Sequence, residues 1–429
     1  MIEKMPPYAS NFSEGFVPGK NTVLYSGPYW DRREIEAGMK AFLTGAWLVA
    51  GEYVARFQNE FSRRFNVKYS HMVNSGSSAN LVMLAAVKRH LAWQDGDEIL
   101  VSPVGFPTTI APIVQNGLKP VFVDIEMDTL NFDVNPEHYA VASQLESKIT
   151  SRTRAIFVSP VLGNPPDMDI LVELCEARGI VLLGDNCDSL GSRWDGRLLN
   201  ELYYAWTTSF YPAHHITTGE GGMVCTNDSD LINTARSISW WGRDCYCVGK
   251  ANTLACGTCG KRFSKWLEGV DMVVDHKYVF TNMGYNLKPL DLQGAIGLAQ
   301  LEKFTEIETK RRANKEKIAR IFEGHAHVRN VVTLPKADPS WFGVPLICDT
   351  AATKEKLVAH LESNKIQTRS YFAGNILAHP GYKHLDDAAQ YPVSNEVLGR
   401  VFFLGCPPQY DEKIISYIEE VVKSLKLAD

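Results

Sequence analysis

The chain has 429 residues, 45% of them hydrophobic and 22% charged, with a formal net charge of −5. That length exceeds what one hydrophobic core organises, so two or three domains are expected. No basic run of five or more residues occurs and no apolar stretch of about 18 residues marks a membrane span, so neither nucleic acid nor a bilayer is an expected partner.

The opening MIEKMPPYASNFSEGF has no apolar core of the secretory kind, and the expected address is the cytoplasm, where the nine cysteines would stay reduced. Residues 31–65 predict two helices parted by a turn at Thr44–Gly45. In the second, GEYVARFQNEFSRRF, the residues Tyr53, Val54, Phe57 and Phe61 share one face. Strand-like runs then alternate with helical ones: EILVSP (98–103), PVFVDI (120–125), RAIFVS (154–159), GIVLLGD (179–185) and GGMVCT (221–226). Helices are expected over 77–92 and 168–178. Runs apolar on both faces, joined by crossover helices, predict an α/β domain with a mostly parallel sheet covered on both sides. A helical pattern from about 291 to 323 predicts the link to a smaller α+β unit, where WFGVPLICD and VFFLGC read as strands and 353–363 and 411–426 as helices. The expected division is residues 1–295 and 296–429.

Three segments carry chemistry. HMVNSGSSANLVML (71–84) is a small-residue turn entering a helix, where backbone N–H groups and the hydroxyls of Ser77 and Ser78 suit a phosphate, or where either serine simply caps the helix. GIVLLGDNCDSLG (179–191) puts Asp185 at the carboxyl end of a buried strand, where open α/β sheets hold ligands. Its carboxylate needs a cationic partner there, which a protonated pyridine nitrogen, a salt bridge or a helix cap would satisfy. TTSFYPAHHITTGEGGMV (207–224) ends a strand at Ser209 and carries adjacent histidines, His214 and His215, which suit metal ligation or a solvated loop.

Together with FLTGAWLVAGEYVARFQNEF, VGFPTTIAPI and NMGYNLKPLDLQGAIGLAQL, these segments resemble the DegT/DnrJ/EryC1/StrS group of sugar-nucleotide aminotransferases over nearly the whole chain. The resemblance implies the aspartate-aminotransferase-like fold (fold type I of the PLP-dependent transferases), a large mostly parallel sheet domain with a small α+β C-terminal domain. It implies that Ser77, Ser78 and Ser209 hold the cofactor phosphate, that Phe106 stacks on the ring and that Asp185 pairs its nitrogen. Asp188 falls where the family has a glutamine near the ring hydroxyl. Asn286 corresponds to a residue given to the phosphate by the neighbouring subunit, implying a homodimer with shared active sites. One departure stands out: where the family's lysine forms its Schiff base, this chain has His214. Imidazole forms no such bond but can take and return a proton. An untethered cofactor fits pyridoxamine 5′-phosphate (PMP), the amine form of PLP, and a nucleotide-sugar 3-dehydratase in which His214 is the base.

A final cluster is Cys187, Cys245-Tyr-Cys247 and Cys256-Gly-Thr-Cys259. Local spacing suits zinc or iron–sulfur ligation. Cys187, two residues beyond Asp185, gives a redox cluster a use beside the ring. The resemblance narrows to the subgroup typified by CDP-4-keto-6-deoxyglucose 3-dehydratase. That likeness implies a CDP-linked substrate and a 2Fe–2S cluster on Cys187, Cys245, Cys247 and Cys259, with Cys256 as the other candidate for the fourth position. No GxGxxG follows a strand, so electrons would come from a separate reductase; Lys261, Arg262 and Lys265 would present the cluster to it or form a solvated basic loop.

Overall fold

The structure, a computed structural model, describes residues 15–45, 47–134, 144–245, 262–264 and 267–425. It opens on two helices, α1 (Arg32–Thr44) and α2 (Glu52–Arg64). Asp31 and Glu34 close a capping box on α1, which sets its start one residue after the predicted position. Seven strands form the principal sheet: β1 (Tyr69–Val73), β2 (Glu98–Val101), β3 (Lys119–Phe122), β4 (Thr153–Val158), β5 (Val181–Asp185), β8 (Ala205–Ser209) and β9 (Gly222–Thr226). Their order is β1-β9-β8-β5-β4-β2-β3. All pairings among β3, β2, β4, β5 and β8 are parallel, while β9 runs antiparallel to both its neighbours. The short strands β6 (Arg193–Trp194) and β7 (Arg197–Leu198) pair with β11 (Ala337–Asp338).

Helices α3 (Gly76–His90), α4 (Pro107–Gln115), α5 (Gln144–Ser147), α6 (Met168–Arg178) and α7 (Ser229–Ser239) fill the connections. The sheet is apolar on both faces, and two buried clusters divide its side chains. Leu100, Ile156 and Trp206 belong to one; Ile99, Ala155 and Leu183 belong to the other. Strand β1 is absent from the expected elements because Ser70 and His71 make it look polar. Both are buried and hydrogen-bonded: Ser70 Oγ donates to the Gln58 carbonyl at 2.7 Å, and His71 Nε2 meets Ser239 Oγ at 2.7 Å.

The helical pattern after residue 291 is two helices, α8 (Asp291–Glu302) and α9 (Phe304–Ile321), not one. They part at Lys303, whose Nζ is buried and reaches Glu34 Oε1 at 2.6 Å and the Tyr29 carbonyl at 3.0 Å. Beyond them a four-stranded sheet, ordered β10-β12-β14-β13, combines β10 (Val328–Asn330), β12 (Gly343–Cys348), β13 (Thr368–Ser370) and β14 (Val401–Gly405). Helices α10 (Ala351–Ser363), α11 (Pro392–Arg400) and α12 (Glu412–Ser424) accompany it. The predicted WFGVPLICD and VFFLGC runs are β12 and β14. Phe16 and Val23 pack into this second core, and Val23 bridges to Ile366. No described helix is long and apolar enough to cross a membrane.

Candidate active site

Strands of the principal sheet deliver polar residues to one edge. Asn74 and Ser75 follow β1, Ser159 follows β4, Asp185 ends β5 and Ser209 ends β8; with Phe106, they line a cavity of about 650 Å³. Carboxyl ends of parallel strands are the usual ligand position in open α/β sheets. Tyr25, Phe342 and Phe372 close the opposite wall.

The turn into α3 is capped by Ser75, whose Oγ accepts from the Ser78 amide at 3.1 Å, so neither Ser77 nor Ser78 is the cap. Ser77 lines the cavity and donates to Thr108 Oγ1 at 3.2 Å; Ser78 receives Ser75's hydroxyl hydrogen at 3.0 Å and is not part of the wall. Gly76 is dictated by close approach: a Cβ there would lie 2.5 Å from the Ser209 Cβ. Its absence lets the Ser209 hydroxyl sit against the α3 N-terminus, where free N–H groups and the helix dipole favour an anion.

Asp185 is buried and held from three sides. Asn80 Nδ2 donates to Oδ2 at 2.8 Å, Thr109 Oγ1 donates to the same oxygen at 2.7 Å, and the Cys187 amide donates to Oδ1 at 3.3 Å. Asn80 is itself fixed by Thr207, whose hydroxyl donates to Oδ1 at 2.5 Å. Phe106, 52% exposed at the start of α4, presents its ring at the rim with Phe372 edge-on at 6.0 Å.

His214 lines the same cavity. Burial, reinforced by the Arg311 guanidinium, holds it down to about 3 against a pull upward from the Cys187 backbone, so the ring is neutral at pH 7. Its Nδ1 is buried and makes no hydrogen bond among the described residues; Asp188 Oδ1 stands 3.6 Å away. Burial pushes Asp188 up to about 7, with Asp185 adding to the rise while the Leu162 amide and Arg311 oppose it. Arg311, fully buried on α9, donates to the carbonyls of Phe342 at 3.0 Å, Ala213 at 2.8 Å and His214 at 3.4 Å, bolting the histidine loop to the second sheet. His215 points away: its Nε2 donates to the Ser340 carbonyl at 3.1 Å, which makes it a packing residue.

Cys187 is on the wall between Asp185 and Asp188, and burial followed by the Asp185 charge pushes its thiol up. Cys245 ends the described part of its loop, while Cys247, Cys256 and Cys259 lie outside the described residues, as do Lys261 and Lys265. Among the described residues no group of three or more His, Cys, Asp or Glu is arranged for a metal ion. Asn286 is exposed and away from the cavity wall, its backbone bridged to Trp240 and its Oδ1 taken by Lys288.

The cavity thus unites Ser77, Phe106, Asp185, Cys187, Asp188, Ser209 and His214. It also enlists Asn80 and Thr109, which sequence reading passed over. Asn80 carried one available signal: it is one helical turn beyond Ser77 and so shares its face. Tyr25, Phe342 and Phe372 had none, coming from distant parts of the chain.

This architecture agrees with comparisons to known proteins. A dTDP-4-dehydro-2,6-dideoxy-D-glucose 3-dehydratase of Saccharopolyspora spinosa is 38% identical over 418 residues, covering 96% of this chain and 88% of its own. The structure of E. coli GDP-4-keto-6-deoxy-D-mannose-3-dehydratase with hydrated PLP superposes with a TM-score of 0.79 at 29% identity, over 94% of this chain and 99% of that one. A histidine-to-asparagine variant of a GDP-4-keto-6-deoxymannose-3-dehydratase holding GDP-perosamine gives 0.79 at 30% identity, over 94% and 100%. The family model of the DegT/DnrJ/EryC1/StrS aminotransferases matches residues 30–425, and this chain belongs to that family.

Proposed function

We propose that this protein removes the C3 hydroxyl of a nucleotide-linked 4-keto-6-deoxyhexose, with pyridoxamine phosphate in the cavity and His214 as the base. The observation that carries this reading is His214 itself. Among the described residues no lysine lines the cavity, whereas His214 does, with a buried Nδ1 that makes no hydrogen bond among them. The nucleotide-sugar 3-dehydratases among its relatives support the same chemistry.

The residues fit the cofactor. The α3 N-terminus with Ser77 and Ser209 would take its phosphate, Phe106 would cover its ring, and Asp185, oriented by Asn80 and Thr109, would meet its ring nitrogen. Bound there, pyridoxamine phosphate supplies the amine that joins the C4 ketone and the ring that accepts the electron pair left by a departing proton. His214, neutral at pH 7, would take that proton on its imidazole. Asp188, 3.6 Å away, steadies the imidazolium so formed. Arg311 fixes the loop and Phe342 flanks the ring at 5.1 Å, keeping the base in place with little water around it.

Replacing a C3 hydroxyl by hydrogen consumes two electrons and two protons and releases water. We assign the electrons to a separate reductase, with Cys187, Cys245, Cys247 and Cys259 (or Cys256) holding a 2Fe–2S cluster that supplies one-electron transfer. The support is Cys187's place on the cavity wall beside Asp185. A cluster-free dehydratase, in which pyridoxamine phosphate would itself supply the electron pair and no separate reductase would be needed, is the second reading. The GDP-linked dehydratase solved with PLP favours it. Iron and sulfide analysis of anaerobically purified protein separates the two: about two irons per chain is expected, and none would establish the cluster-free route.

We also propose a homodimer. Asn286 is away from the wall of its own cavity, and apolar side chains are exposed both where 48–50 meets 289–291 (Trp47 and Leu48) and on the segment leading to Asn286 (Met283 and Tyr285). The CDP-linked sugar implied by the sequence is the first substrate to assay, alongside its dTDP- and GDP-linked counterparts. The test of the base is His214→Asn: it should bind the cofactor as the parent does but lose solvent exchange at the cofactor's C4′. Exchange at the parental rate would remove His214 from that role.

A further inference from the structure

We propose that Arg369, laid over the ring of the cavity-wall residue Tyr25, anchors the diphosphate of the nucleoside-diphosphate-linked substrate; this rests on the function proposed above. A nucleotide-linked sugar brings two negative charges that must lie outside the space occupied by its hexose. Among the described residues the cavity wall holds no cation for them: its ionisable residues are Asp185, Asp188, Glu220, Cys187, His214 and two tyrosines, without a lysine or arginine. The α3 N-terminus is taken by the cofactor phosphate.

Two guanidinium groups are held against wall residues among the described contacts. Arg311 is fully buried, with Nη1 and Nη2 committed to three carbonyls. Arg369 is different. It is exposed on β13, an edge strand of the second sheet, and among the described residues its guanidinium makes one hydrogen bond, from Nη1 to the carbonyl of adjacent Thr368 at 2.7 Å. It has no acidic partner among the described residues. Its guanidinium carbon lies 4.0 Å from the centroid of Tyr25, a wall residue, so the cation is pre-set beside the cavity wall. Tyr25 is firmly held: its amide donates to Gln367 Oε1 at 3.2 Å, its ring meets Phe403 edge-on, and its carbonyl presses so close to Gly405 that a Cβ there would lie 1.7 Å away. A planar fork stacked on a fixed aromatic leaves its outer N–H edge free for two phosphate oxygens.

The test is calorimetric titration of the PLP-loaded full chain with CDP, dTDP, GDP and inorganic pyrophosphate. The parent should bind at least one nucleoside diphosphate. Arg369→Gln should weaken that binding by about 10- to 100-fold, the usual range for a charge-assisted hydrogen bond. Arg369→Lys should recover part of it as a point charge without the fork. The PLP spectrum and melting temperature should not move, and the salt dependence of binding should shrink in Arg369→Gln. Equal affinity of parent and Arg369→Gln for the diphosphate would overturn the anchor and leave the dehydratase reading standing. A parent that binds none of the nucleoside diphosphates would remove the nucleotide-linked reading, and the anchor with it.

Discussion

Single residues set the chemistry of the site through close approach and burial. Gly76 lets β8 and α3 meet, so Gly76→Ala must push Ser209 away from the helix N-terminus. A loss of about 1–3 kcal/mol is expected by urea unfolding, and PLP titration should show weaker binding; unchanged affinity would separate Ser209 from the phosphate. Asp185 depends on its neighbours in the same way. Asn80→Ala leaves one oxygen with a single side-chain donor, Thr109, and should weaken cofactor affinity about tenfold, the effect of one hydrogen bond to a charged group. Asp185 and His214 were legible in the sequence because strand ends and a missing lysine leave marks there. The orientation of Asp185 by Asn80 and Thr109 was not, since hydrogen bonds across 105 and 76 positions leave no periodic trace.

Among the elements, legibility followed local signals. Helix α6 was read at its observed bounds because Asp167 caps its start and Gly179, at φ 62°, ends it in the left-handed conformation. Strand β1 was missed because its polar residues bond to partners outside the strand, Gln58 and Ser239, and the α8–α9 break was missed because the pattern runs on through Lys303. That break rests on a buried pair: Lys303 and Glu34 lie 2.6 Å apart, with Gln300 also donating to Glu34 at 2.7 Å. Glu34→Gln leaves Asp31, at 3.3 Å, as the charged partner of Lys303 and should cost about 3 kcal/mol in urea unfolding. Replacing both partners, Glu34→Leu with Lys303→Met, should recover part of that loss. Parental stability in the single variant would show that the pair does not fasten α1 to α8.

For the whole molecule, buried neutral histidines make acid the weak side. Burial holds His71 and His214 each down to about 3, while the unfolded chain protonates them near 6.5. Their contribution is complete above about pH 6.5 and is lost as pH falls toward 3, at about 1.4 kcal/mol per unit for each group. Asp188, raised to about 7, acts in the opposite sense over pH 7 to 4 and offsets one of them. The denaturation midpoint should therefore fall between pH 6 and 4, less steeply in His71→Gln; parallel profiles would refute this source of acid lability. The central claim concerns the reaction, and it turns on what leaves the sugar. Protein loaded with pyridoxamine phosphate is incubated with CDP-, dTDP- or GDP-linked 4-keto-6-deoxyhexose and a reducing system, and the products are read by mass spectrometry. The account predicts a 3-deoxy-4-ketosugar that has lost its C3 oxygen; a 4-aminosugar retaining that oxygen would contradict it.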